Sequence, residues 1–144
     1  MVGRTGAIVG MVAALAAGLA FADDAAVPPT TFGIWRNPKD SVHIEIKPCA
    51  NGMGACGVVV WANDKAKRDA RKGGTQELIG LQIFRDFEKR DDGVWRGRVF
   101  VPDLNRTFSG TAEALSPTSL KAKGCVIMLI ACKAQIWTRI DTPS

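Results

Sequence analysis

From residue 30 to residue 140 the chain is a succession of short strand-like segments cut apart by turn residues, and no other feature narrows the fold so far. Segment 41–48 shows the rule plainly. Val42, Ile44 and Ile46 alternate with His43, Glu45 and Lys47, the period-two pattern of a strand with one face on a core. Further segments read as strands at 30–36, 56–61, 78–85, 94–101, 107–114, 120–127 and 134–140. Between them stand Asn37-Pro38, Asn51-Gly-Met-Gly54, Asp91-Asp92-Gly93 and Pro102-Asp103-Leu104-Asn105, residue types that turn a backbone. Segment 62–72 breaks the rhythm: Ala62, Ala66 and Ala70 recur every four residues and Gly73-Gly74 ends the run. A short helix or helical loop is expected there, after the third strand.

Eight sequential antiparallel strands without a βαβ rhythm predict an all-β, up-and-down barrel, because closure leaves no sheet edge exposed. A two-sheet sandwich has the same periodicity and stands as the alternative. An eight-stranded barrel is just wide enough to be filled by side chains or to hold one small ligand. In such a barrel Val42, Ile44, Ile46, Val99 and Ala122 are expected to point inward, and Lys121 and Lys123 outward.

Residues 1–22 stand outside this pattern. Arg4 precedes the uncharged run 7–20, and Ala20-Phe21-Ala22 puts small residues at the positions a signal peptidase reads, ahead of Asp23 and Asp24. These are the parts of a secretory signal peptide, with cleavage expected after Ala22 and the mature chain in the periplasm or outside the cell. The run is shorter than the roughly 20 apolar residues of a membrane span, and no second apolar run is longer. Residues 23–144 are expected to form one barrel domain, being too few for two cores. Loss of Arg4 takes the formal net charge from +5 to +4. That excess suits an anionic envelope component, and no nucleic-acid module accompanies it.

The four cysteines fall as Cys-x6-Cys twice, Cys49 with Cys56 and Cys125 with Cys132. An even count in an exported chain reads as disulfides. Structural zinc sites space ligand pairs two to four residues apart, and His43, the single histidine, has no partner at metal spacing, so no metal is expected. In a meander the second-to-third and seventh-to-eighth turns lie at opposite ends. Bridged cysteines need Cα atoms within about 7 Å, so the pairs are expected to be Cys49–Cys56 and Cys125–Cys132.

Several pieces in fixed order resemble a known family: Gly33-Ile-Trp35, Cys49 with Cys56-Gly-Val-Val-Val-Trp61, Leu78-Ile-Gly-Leu81, Trp95-Arg-Gly97, Val101-Pro-Asp103, Phe108-Ser-Gly110, Leu120 through Gly124-Cys125, and Gln135-Ile-Trp137-Thr-Arg139. From about residue 32 to residue 140 the chain is similar to the bacterial exported family called domain of unknown function 2147. That resemblance implies a small lipocalin-like (calycin-like) barrel in the bacterial envelope, with no established activity. Gly33-x-Trp35 also resembles the first strand of lipocalin-type barrels, where the tryptophan plugs the closed end. A basic residue from near the last strand stacks on that ring, a role the resemblance gives to Arg139.

Chemistry-bearing residues are sparse. His43 lies on the polar side of its strand, where it reads as a surface histidine rather than a catalytic base. Asp91 and Asp92 precede a glycine in a turn, and all four cysteines are expected to be oxidised. No enzyme activity and no cofactor are expected. Lys65, Lys67, Arg68, Arg71 and Lys72 form a basic cluster, interrupted by Asp64 and Asp69, that reads as a patch for anionic envelope material or as a solvated helix face. Trp35 and Trp137 read as core plugs. Trp61 and Trp95 are expected to line a cavity, with Gly97 and Gly110 supplying the space between them. Two functions stay open. One is a non-catalytic module binding a small apolar or amphipathic ligand. The other is an envelope interaction or inhibitor protein with a filled barrel. Either would work as a monomer or weak dimer.

Overall fold

The computed structural model describes residues 30–125 and 131–144, with Gly3 alone before them. The expected leader over 1–22, Gly3 apart, and residues 126–127 of the seventh expected strand lie outside the described residues. Eight strands form, β1 (Gly33–Arg36), β2 (Val42–Pro48), β3 (Ala55–Ala62), β4 (Gln82–Lys89), β5 (Trp95–Val101), β6 (Arg106–Ser116), β7 (Ser119–Cys125) and β8 (Cys132–Ile140). Each pairs antiparallel with the next, and β8 returns to β1 through Ile34↔Ile140, Trp35↔Arg139 and Arg36↔Thr138. The sheet is a closed up-and-down barrel, so the sandwich alternative falls.

The inner face follows the alternation. Ile44 and Ile46 are buried, and Val42, Val99 and Ala122 pack against the buried core. Lys121 is exposed and Lys123 half-buried. β4 starts four residues later than the sequence suggests. The reason is local: Leu81 N–H closes a turn onto Leu78 C=O, and Gly80 takes φ 85°, a conformation that favours glycine. The segment is nevertheless tied to β3, with Gly80 N–H donating to Val59 C=O and Val59 N–H to Leu81 C=O.

One end of the barrel is plugged. Trp35 is fully buried and its Nε1–H donates to Thr31 C=O at 2.9 Å. The Arg139 guanidinium lies 4.2 Å over the Trp35 ring and donates to the carbonyls of Pro117 (2.6 Å), Phe32 (2.7 Å) and Thr30 (2.6 Å). Gly33, at φ 131°, leaves room for that guanidinium, which a Cβ there would strike. The other end carries α1 (Asp64–Lys72). Asn63 caps it, its side-chain oxygen accepting from Ala66 N–H at 2.8 Å. Gly73 ends it against the carbonyls of Pro102 and Asp103, so close that a Cβ would collide. The helix is thereby fixed to the β5–β6 turn, with Ala70 buried beneath it.

Both disulfides form as strand parity requires. Cys49–Cys56 closes the β2–β3 turn with Cα atoms 4.9 Å apart, and Cys125–Cys132 joins β7 to β8 with Cα atoms 4.0 Å apart. His43 differs from expectation. It does sit on the outer side of β2, yet it is 2% exposed. Trp61 stacks on its ring at 4.3 Å, Asp40 meets Nε2 at 2.6 Å, and Nδ1 accepts from the Ser144 backbone N–H at 3.4 Å. A neighbouring aromatic and the C-terminal residues cover a position that alternation alone reads as open surface.

Candidate ligand cavity at the helix end of the barrel

Alternation assigns a side chain to the inside or the outside, and register assigns it to a level along the barrel axis. The levels decide where space remains. Nearest the plug, Trp95 packs edge-on to Phe32 with centroids 5.7 Å apart. One level up, Gly97 pairs with Gly110, and the Phe87 ring occupies the room both leave. A Cβ on Gly97 would come within 2.5 Å of that ring, and one on Gly110 would lie 3.4 Å from it and strike Val99. Phe84 and Phe87 stack with centroids 5.2 Å apart and Trp137 meets Phe84 at 6.0 Å, forming an aromatic floor. Around Thr31, Ile46, Phe87 and Trp95, below that floor, there is no room for a water molecule.

Above the floor the barrel is not filled. A cavity of about 670 Å³ opens between α1, the β1–β2 turn, the β5–β6 turn and the start of β8. Its wall is apolar: Val59, Ile83, Val99 and Phe108 come from successive strands, and Ala66 and Ala70 of α1 cover one side. Polar groups gather at the mouth, where Lys39, Lys65, Asp69 and Lys133 stand. Lys65 Nζ is 2.6 Å from Asp69 Oδ2, and this hydrogen bond holds the Asp69 carboxyl below its ordinary value. Gln135 and Trp137 continue from Lys133 down the inner side of β8, opposite Gly124, Ala122 and Leu120 of β7. Trp137 is 6% exposed, and its Nε1 is the one buried side-chain polar atom without a partner among the described residues.

Of the four residues expected to bind a ligand, none lines this cavity. Trp95, Gly97 and Gly110 face inward but at the filled levels. Trp61 is turned out by a β-bulge. Ile44 pairs with Val59 and His43 with Trp61, so Val60 is the extra residue and Trp61 leaves the inner face that Val59 occupies. Trp137, read from sequence as a plug, is instead the tryptophan of the cavity wall. A signal for this was present: Arg139 stacks on the plug, so Trp137 lies one inward step nearer the mouth.

The geometry suits non-covalent binding of an apolar body with a polar end outward. His43 lies outside the cavity lining with Nε2 engaged by Asp40, and Cys49 and Cys56, near Asp86, have both sulfurs committed to a disulfide. Among the described residues no helix is long and apolar enough to cross a membrane.

No curated protein and no solved structure matches the chain. The family model described as "Uncharacterized protein conserved in bacteria (DUF2147)" matches residues 33–139, from the first residue of β1 to the penultimate residue of β8. With all of the barrel but the last residue of β8 inside that match, the chain belongs to this bacterial family.

Proposed function

We propose that the protein is a non-catalytic binding module of the bacterial envelope that holds one small apolar or amphipathic molecule in the barrel. The observation that carries this reading is the apolar cavity of about 670 Å³, within the range of roughly 300–1,000 Å³ typical of small-molecule sites. An envelope interaction or inhibitor protein with a filled barrel is the competing reading, and an unfilled upper half speaks against it. The leader-like residues 1–22 and the two disulfides support export. Phe84, Phe108 and Trp137 replace Trp61, Trp95, Gly97 and Gly110 as the residues that would touch the ligand.

Size sets the affinity. Ten to twenty heavy atoms at about 0.3 kcal/mol each give roughly 3–6 kcal/mol, or millimolar to tens of micromolar. Tryptophan fluorescence titrated with fatty acids, lysolipids and quinones is expected to show saturable quenching by at least one class. Ala122→Phe, which puts a ring into the cavity, should abolish it without lowering the melting temperature. Quenching that survives Ala122→Phe unchanged would place the ligand elsewhere, and no response to any class would leave the filled-barrel alternative.

A further inference from the structure

The two ends of the barrel differ in charge. Taking each turn with the two strand residues on either side, the helix end holds nine lysines and arginines against five carboxylates among the described residues, and the plug end five against four. Pairing widens the difference. At the plug end Arg90 lies by Glu88, Arg96 by Asp92 and Lys47 by Glu45, so those charges largely cancel. On α1 Lys65 is paired with Asp69. Lys67, Arg68, Arg71 and Lys72 have no carboxylate within 4.0 Å among the described residues, and Asp64 is the one acidic residue left on the helix to oppose them. The cavity mouth beside the helix adds Lys39, Lys123 and Lys133 against Asp103, and Glu77 and Arg106 offset one another in sign.

The same rim carries an apolar side chain. Leu104, in the β5–β6 turn, is 58% exposed and borders the cavity. Basic residues alone attract any polyanion. A leucine held out among them, with an apolar cavity opening beside it, suits a partner that has an apolar interior behind an anionic surface, and a lipid bilayer has both. We infer that the helix end of the barrel docks on an anionic phospholipid bilayer. Lys67, Arg68, Arg71 and Lys72 lie against the head groups, Leu104 reaches the boundary of head groups and acyl chains, and the cavity mouth faces the membrane. Docking needs no occupied cavity and so goes beyond the binding reading. Where that reading holds, the apolar molecule enters from the bilayer without crossing water.

Cosedimentation of the purified protein with vesicles tests this. Binding to phosphatidylcholine vesicles with about one third phosphatidylglycerol is expected to exceed binding to pure phosphatidylcholine by about tenfold or more, and to weaken as salt rises from about 0.05 M to about 0.5 M. Each basic residue near such a surface contributes about fivefold, so the triple variant Arg68→Gln, Arg71→Gln, Lys72→Gln should bind about a hundredfold more weakly. The plug-end triple variant Lys47→Gln, Lys89→Gln, Arg90→Gln should change binding less than about twofold. Leu104→Ser should cost about fivefold. Met53→Ser should cost less than about twofold although Met53 is 71% exposed, because it stands in the β2–β3 turn at the plug end. Melting temperatures within about two degrees of wild type show that each variant is folded. Equal binding to both kinds of vesicle, or equal losses from the two triple variants, would overturn the inference. Salt-sensitive retention on heparin with Leu104→Ser bound to vesicles as tightly as wild type would overturn it in favour of a soluble polyanion. Arg68, Arg71 and Lys72 lie outside the cavity lining, so their triple variant should keep the saturable quenching expected of the cavity. In the wild type, quenching without vesicle binding would overturn docking and leave the cavity reading standing, and vesicle binding without quenching would do the reverse.

Discussion

Arg139 holds three main-chain carbonyls and one indole ring, and only a glycine at position 33 leaves it room to do so. Hydrogen bonds from a charged donor contribute about 1.5–3 kcal/mol where partly buried, and the cation–ring contact about 0.5–2. Arg139→Met is therefore expected to lower unfolding stability by about 2–4 kcal/mol in urea. Gly33→Ala should cost about 1–3 kcal/mol, from positive-φ strain and displacement of the guanidinium. The double variant should cost less than the sum, since either change alone already frees the plug. Additive losses, or a change below about 0.5 kcal/mol in either single variant, would mean that the plug does not depend on this contact. His43 shows the reverse case, in which single-residue reading fails. Its polarity and outward parity are evident in the sequence, but its cover by Trp61 and Ser144 is not, because Ser144 is 101 residues away.

At the scale of elements the turns carry most of what is legible. Asp91-Asp92-Gly93 signals the β4–β5 hairpin, and the structure shows how it works. Asp92 accepts Val94 N–H at 3.0 Å and both terminal nitrogens of Arg96, at 3.1 and 2.8 Å. The hydrogen bond from Arg96, and then that from Val94, lower the Asp92 pKa from 3.8 to about 2. As pH falls the unfolded chain therefore takes up this proton first. The stabilisation is complete above about pH 4 and is lost as pH falls toward 2. Asp92→Asn should flatten that part of the stability–pH curve, and an unaltered slope between pH 4 and 2 would contradict the hairpin's dependence on the carboxylate. Less legible is β4, whose start moves because Gly80 and Leu81 close a turn before the ladder begins. The bulge at Val60 is illegible, since a run of three valines gives no sign of which one is unpaired. One extra residue there reverses Trp61.

At the scale of the whole molecule the barrel divides into a filled half held by Trp35, Phe87 and Trp95 and an open half beneath α1. The eight strands, their closure and both disulfides follow from alternation, turn chemistry and strand parity. The cavity does not, because alternation fixes a side but never a level, and the levels depend on registers and bulges spread over all eight strands. That is why two inward glycines and an inward tryptophan, correctly placed inside, belong to the filled half. The chain's four tryptophans make the division measurable, because each indole N–H gives its own signal in a proton–nitrogen correlation spectrum. Titration with decanoate, a fatty acid short enough for the cavity, should move the Trp137 indole signal progressively and leave those of Trp35, Trp61 and Trp95 in place. A shift confined to Trp61 or Trp95, or four signals unmoved at millimolar ligand, would contradict a ligand cavity at the helix end of the barrel.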